Sequence, residues 1–260
     1  FKGKTFDGDA KISKLISSLS KNQRSDGLWG WWKDSEPSEW ISLHVLEALL
    51  SAEKQGYKVS FNRSQAIETM VWELENSTGI YSRIRIMNAL KLLGSKINFG
   101  EYISRIEKWN NISFTERLHL MELKQLCGIA INLKNLEPFK KLTMYGNVYY
   151  TDVDADFRLL ENDVLNTLVV YRILRADTTN HELALRKIRN FLLEKRGSGY
   201  WRNTYESALI IETILPDLLE GKDTPAKPTL SITGAVTKTV TDFPFELTLD
   251  AHDNIAVSKT

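Results

Sequence analysis

Up to about residue 219 the apolar positions recur at the three-and-four spacing of a helix. Ile12, Leu15, Ile16 and Leu19 form one stripe. Trp40, Leu43, His44, Leu46, Glu47 and Leu50 run along a second segment, apolar apart from His44 and Glu47. The same periodicity predicts helices over 62–76, 80–95, 100–109, 115–133, 159–175, 181–194 and 203–219. Asn62, with Gln65 three positions later, reads as a capping box, and Asn180 opens a further helix. Gly56 and Gly197 stand where helices should stop. Proline is scarce in these segments, as it must be, since an interior proline costs a helix about 3 kcal/mol.

Beyond Leu219 the pattern changes. Residues 220–228, Glu-Gly-Lys-Asp-Thr-Pro-Ala-Lys-Pro, read as a polar linker. Leu230–Thr233 and Phe243–Leu249 then alternate apolar and polar with a period of two, and Ile255-Ala256-Val257 opens another such run. Two or three strands do not make a stable sheet alone. The tail 229–260 is therefore expected to be the start of a β-sandwich, and the chain, opening on Phe1 and closing amid a strand pattern, to be a piece of something longer.

A weak repeat runs through the helical part. Gly27-Leu28-Trp29-Gly30-Trp31-Trp32, Gly79-Ile80-Tyr81, Tyr149-Tyr150-Thr151 and Gly199-Tyr200-Trp201 each precede an apolar helix. Helix pairs that cannot bury a face alone must stack on one another. When one member of each pair reads as almost wholly apolar, as Ala208-Leu209-Ile210-Ile211 does, a closed ring of inner and outer helices is the expected solution. The predicted architecture is mainly α: an α/α toroid over 1–219, a linker over 220–228, and the first strands of a β-sandwich over 229–260.

The totals select no partner. Lys plus Arg number 34 against 33 Asp plus Glu, so no basic excess suggests nucleic acid. No apolar run approaches the roughly 18 residues that span a bilayer, so no direct membrane insertion is expected. The single cysteine, Cys127, excludes an intrachain disulfide framework and a multi-cysteine zinc site; a buried, inert thiol is the plain reading.

The most specific segment is Gln23-Arg24-Ser25-Asp26-Gly27-Leu28-Trp29-Gly30-Trp31-Trp32. Gly27 can take a positive φ in the turn while the aromatic rings seal the loop on the following helix. Trp29, Trp31 and Trp32, with Trp201 in the later cluster, are also the candidate interaction surface, because exposed rings can stack on sugars or peptides. Together with Trp40-Ile41-Ser42-Leu43-His44-Val45-Leu46-Glu47-Ala48-Leu49 and Gln55-Gly56-Tyr57, this loop resembles the bacterial α2-macroglobulin family. Trp201–Ile210 is similar to the last inner helix of that family's thioester-type toroid, and Val240–Leu247 to the strand that follows it.

The resemblance implies a non-catalytic domain of a broad-spectrum endopeptidase inhibitor, periplasmic or envelope-anchored. Its expected partners are target proteases, met through the full-length parent, and neighbouring β-sandwich domains of the same chain. Family members of the covalent type carry a Cys-Xaa-Glu-Gln thioester motif upstream of the Trp-rich loop, and this chain starts after that point. Cys127-Gly128-Ile129-Ala130 is no substitute, since the Glu-Gln acyl partner is missing.

Two alternatives stand beside this. Terpene cyclases and polysaccharide lyases are also α/α toroids, and Gln23 to Trp29 fits the Gln-Trp repeat of the cyclases. An enzyme of that type predicts a central cavity lined by Asp and aromatic residues. Ala155 interrupts the cyclase acid in Asp152-Val153-Asp154-Ala155-Asp156. A carbohydrate-binding module predicts Trp29, Trp31 and Trp32 coplanar and exposed. As a calcium loop, Asp152, Asp154 and Asp156 with Asp163 would need Gly where Phe157 stands. His44, His119, His181 and His252 form no metal-ligand pair, and no phosphate loop or nucleophile elbow occurs. No catalytic residue, cofactor or metal is assigned.

Overall fold

The computed structural model describes residues 8–152, 162–197, 201–220, 229–242 and 245–259. Helices α1 (Asp9–Lys21), α2 (Glu39–Lys54), α3 (Arg63–Asn76), α4 (Ile80–Leu92), α5 (Phe99–Glu107) and α6 (Phe114–Leu126) come first. A 3-10 helix (Leu133–Phe139) leads into a hairpin of β1 (Lys140–Leu142) and β2 (Val148–Tyr150), followed by α7 (Asp163–Ala176), α8 (Glu182–Glu194) and α9 (Thr204–Glu220). The chain divides into two compact units, Phe1–Leu209 and Ile210–Thr260.

In the first unit α2 packs on α4, α4 on α6, and α6 on α7, while α3 lies against α4 and α8 against α7. The sequence explains the division of labour. α5 and α8 carry their apolar residues on one side, Phe99, Ile103 and Ile106 in α5, so each needs only one neighbour. α7 is buried nearly all round, including Asn166 and Thr167. Its polar groups find partners: Thr115 Oγ1 donates to Asn166 Oδ1 at 2.9 Å, and the Tyr150 amide donates to Thr167 Oγ1 at 2.9 Å. The second bond fixes the β1–β2 hairpin to α7.

The main core is made by α1 to α6, with Leu46, Leu49, Leu74, Ile84, Met87, Leu90 and Leu123 among its fully buried side chains. The structure is thus mainly helical with a few short antiparallel strands, in keeping with the sequence. Three local expectations change. The segment read as one helix over 115–133 stops at Leu126, where Gly128 takes φ +71° and the chain turns. The hairpin at 140–150 was not legible, because its exposed first strand carries no alternation. The capping box expected at Asn62 is only half made: Asn62 Oδ1 accepts from the Gln65 amide, but the Asn62 amide donates to Gln23 Oε1 instead. A complete box sits at Ser113 and Glu116.

The second unit contains a three-stranded antiparallel sheet of β3 (Leu230–Gly234), β4 (Lys238–Val240) and β5 (Ile255–Lys259), in the order β4-β3-β5. Leu230 pairs with Val240 and with Lys259. The strand expected at 243–249 is absent over its described residues 245–249. Residues 238–240 and 255–259 occupy both edges of β3 instead. Phe243 and Pro244, and the linker from 221 to 228, lie outside the described residues.

Candidate functional site

The Trp-rich loop is positioned from below by a small polar frame. Gln23 reaches the start of α3: its Nε2 donates to the Asn62 carbonyl at 3.2 Å and to the Gly27 carbonyl at 2.9 Å, while its Oε1 accepts the Asn62 amide. Arg24 pairs with Asp26 at 3.0 Å and also donates to the Ser35 carbonyl. Asp26 accepts from the Leu28 amide, and Thr69 Oγ1 donates to the Asp26 carbonyl. Gly27 takes φ +80°, and a Cβ there would lie 2.4 Å from the Ala66 amide nitrogen. Only glycine lets the loop approach α3 this closely.

Trp29 and Trp201 sit in matching places. The Trp29 indole N–H donates to the Leu19 carbonyl in the last turn of α1 at 2.7 Å. The Trp201 indole N–H donates to the Leu192 carbonyl in the last turn of α8, also at 2.7 Å. Carbonyls at a helix end have no partner in the following turn of helix, so each indole adds a hydrogen bond there while filling core; the Leu19 carbonyl accepts from the Asn22 amide as well. Both tryptophans are buried. The sequence repeat therefore has a structural meaning: an aromatic ring closes the helix before the loop. Gly199 and Tyr200 lie outside the described residues.

Trp31 and Trp32 are different. They are 61% and 75% exposed, tilted 50° to each other, and Trp31 stacks on Trp40 of α2 with ring centroids 5.5 Å apart and planes 11° apart. Trp40 contacts His44 at 4.1 Å, and His44 meets Tyr205 edge-on at 5.0 Å. Trp32, Trp31, Trp40, His44 and Tyr205 thus form a continuous line of rings from an exposed loop to the N-terminal turn of α9. Of the four tryptophans named from the sequence, Trp31 and Trp32 lie together at the surface, whereas Trp29 and Trp201 are core. The coplanar, exposed trio required by a carbohydrate-binding module is not present, because Trp29 is turned inward by its bond to Leu19.

His44 Nδ1 lies 2.6 Å from the Trp40 carbonyl. A carbonyl only accepts, so Nδ1 is the donor in this contact. Nε2 is buried and has no hydrogen-bond partner among the described residues.

Inward of Tyr205 lies a cluster of charges that the sequence reading did not assemble. Arg85 of α4 donates to Glu47 of α2 at 2.8 Å. Arg172 of α7 holds Glu122 of α6 with two bonds, Nε to Oε1 at 2.5 Å and Nη2 to Oε2 at 3.2 Å, and His119 Nδ1 lies 3.6 Å from the same carboxylate. Burial works to raise the Glu122 carboxyl, but the Arg172 guanidinium and His119 outweigh it and hold the group below the usual carboxylate range. Burial pushes the Tyr205 hydroxyl up to about 12, helped by the Glu47 carboxylate. The four residues stand on four different helices, α2, α4, α6 and α7, so no local sequence pattern joins them. Chemically, the cluster is a set of fixed, mutually neutralising charges. Its carboxylates are locked as salts with always-protonated guanidiniums.

The other sequence candidates are placed plainly. Cys127 ends α6, and burial raises its thiol, which favours the unreactive protonated form. Asp163 is committed to Lys195 at 2.8 Å and to the Val164 amide. Asp152 is described, but Asp154, Asp156 and Phe157 lie outside the described residues. His181 pairs with Asp177 at 2.8 Å, and His252 is exposed. Among the described residues no three His, Cys, Asp or Glu side chains are grouped to hold a metal, and no helix is long and apolar enough to cross a membrane.

The fold is of the mainly α class with a small antiparallel sheet. No family model matches the chain. It is similar to the Alpha-2-macroglobulin of Thermotoga maritima, with 26% identity over 216 residues, or 83% of this chain. That match spans 12% of the relative's own length.

Proposed function

We propose that residues 1–219 are the α/α-toroid, thioester-type domain of an α2-macroglobulin-like endopeptidase inhibitor, and that 229–260 begin the β-sandwich after it, with 220–228 as the linker between them. The similarity to the Thermotoga maritima protein carries this reading, since it runs through most of the chain. The series α2, α4, α6, α7 supports it, because inner helices of a toroid pack on one another in that way. On this reading the domain has no catalytic role. The parent acts in the periplasm or at the envelope, where a protease cleaves an exposed segment elsewhere and the rearranged protein encloses it.

The ion pairs tie α2 to α4 and α6 to α7, and Trp31 and Trp32 give the domain an exposed contact surface. Trp29 anchors the same loop from within through its bond to Leu19. The carbohydrate-binding alternative loses support from the Trp31–Trp40 stack, which turns two ring faces toward each other. The enzyme alternative would place acidic and aromatic side chains around a cavity, whereas Glu47 and Glu122 are neutralised by arginines.

Small-angle scattering of the full-length parent before and after a substoichiometric addition of trypsin tests the reading. A decrease in radius of gyration, with iodide quenching of Trp31 and Trp32 altered relative to the Trp31→Phe, Trp32→Phe parent, is expected. An unchanged radius with progressive fragmentation of the whole parent would contradict it.

A further inference from the structure

We propose that a cavity between α5, α6 and the 3-10 helix is a binding site for a small anionic amphiphile, a carboxylate with an apolar or aromatic body. The cavity measures about 310 Å³, at the lower end of the range of small-molecule sites. It lies far along the chain from the Trp-rich loop and does not depend on the function proposed above.

The walls come from the sequence in a simple way. Phe114 and Leu118 are successive positions on one face of α6, with Met121 beside them, and they meet Phe139 from the end of the 3-10 helix. Phe114 and Phe139 stack face to face with centroids 4.0 Å apart, so the two rings form one packed block in the cavity wall. Trp109, about 42% exposed, stands in the wall with one part still open to water. The lining mixes apolar and polar side chains, so a ligand that carries both kinds of group gains by displacing the water there.

Charge decides which ligand. Three ionic groups line the cavity. Glu107 and Lys124 neutralise each other through a 2.7 Å ion pair. Arg117 is left over: its Nε donates to the Ile112 carbonyl, and among the described residues it makes no ion pair. That bond fixes the stem and leaves both terminal nitrogens of the guanidinium as donors, the geometry that receives a carboxylate in two parallel bonds. An apolar body against Met121, Phe139 and Trp109 with its carboxylate on Arg117 matches these walls, whereas a cation would meet the positive charge of Arg117.

Decanoate is the probe and decanol its neutral counterpart, each titrated calorimetrically into the 260-residue chain. Saturable decanoate binding is expected, weakened roughly tenfold in Arg117→Gln, the effect of losing one charge-assisted contact. Arg117→Lys should recover part of the loss, and Arg63→Gln, at a distant ion pair, should leave affinity unchanged. Decanol should bind more weakly and show no response to Arg117→Gln. Bromine-labelled decanoate should quench tryptophan emission in the wild type and lose most of that quenching in Trp109→Phe. The absence of saturable binding, equal affinity in Arg117→Gln, or quenching unaffected by Trp109→Phe would each overturn the proposal.

Discussion

The indole N–H of Trp29 bonds the Leu19 carbonyl at 2.7 Å, so a residue of the loop after α1 finishes the hydrogen bonding of α1 itself. Trp201 does the same for Leu192 at the end of α8. The loop and the helix before it are therefore one cooperative element. Trp29→Ala and Trp201→Ala should each destabilise the chain by about 3–5 kcal/mol through cavity formation and the lost indole hydrogen bond. Trp32→Ala, at an exposed ring, should stay within about 0.5 kcal/mol. Urea denaturation of the three variants checks the contrast, and equal losses at Trp29 and Trp32 would remove the distinction between core and surface tryptophans.

Gly27 offers a second, narrower test. Gly27→Ala meets both a positive φ and backbone of α3 at 2.4 Å, so the loop must lift away from Ala66. Gly56→Ala has the positive φ but open space around it, and should cost only about 1 kcal/mol. A thermal-melt comparison should therefore show the Gly27 variant well below the Gly56 variant. Equal midpoints would mean that the loop is not pressed against α3.

Glu122 ties stability to acid. Its carboxyl is lower in the folded chain than in the unfolded one, so the unfolded state takes up the proton first. The resulting stability is fully present above the ordinary carboxylate range and is lost as pH falls toward the folded value. Glu122→Gln should thus be less stable than wild type at pH 7, by about 2 kcal/mol for the lost charge-assisted bonds to Arg172, with the gap narrowing as pH falls below about 4. A gap that is constant from pH 7 to 3 would contradict the pairing.

At the alkaline end the sign reverses. Burial raises Tyr150 and Tyr205 to about 12, so the folded chain keeps protons that the unfolded chain releases near 10. Stability should decline between about pH 10 and 12. Absorbance at 295 nm should show Tyr150 and Tyr205 among the late-ionising tyrosines, with one fewer of these in Tyr205→Phe. Loss of the phenol from the tyrosines that ionise near 10 would instead mean that Tyr205 is open to solvent.

Much of the helical layout was readable because amphipathic periodicity survives wherever one face is buried, as in α5 with Phe99, Ile103 and Ile106. The stop at Leu126 was not, since Ile129 and Ile131 continue an apolar pattern that the turn at Gly128 interrupts. The strand 238–240 was hidden by Lys238 and Thr239, which are exposed, while 243–249 carried the clearer alternation without a pairing partner over 245–249. The site was half legible. A run of Trp names an unusual loop but cannot say which ring turns inward; that is decided by the reach of the Trp29 indole to Leu19. The charge cluster was hidden for a related reason. Glu47, Arg85, Glu122 and Arg172 stand on four different helices, and only tertiary packing brings them together.

The most direct test of the account is a substrate-size comparison on the full-length parent. Trypsin is mixed with a saturating excess of the parent, and residual activity is read on a short chromogenic peptide and on a large protein substrate. An enclosed protease should keep its activity on the peptide and lose it on the large substrate. Activity lost equally on both, or retained equally on both, would contradict the α2-macroglobulin-like reading.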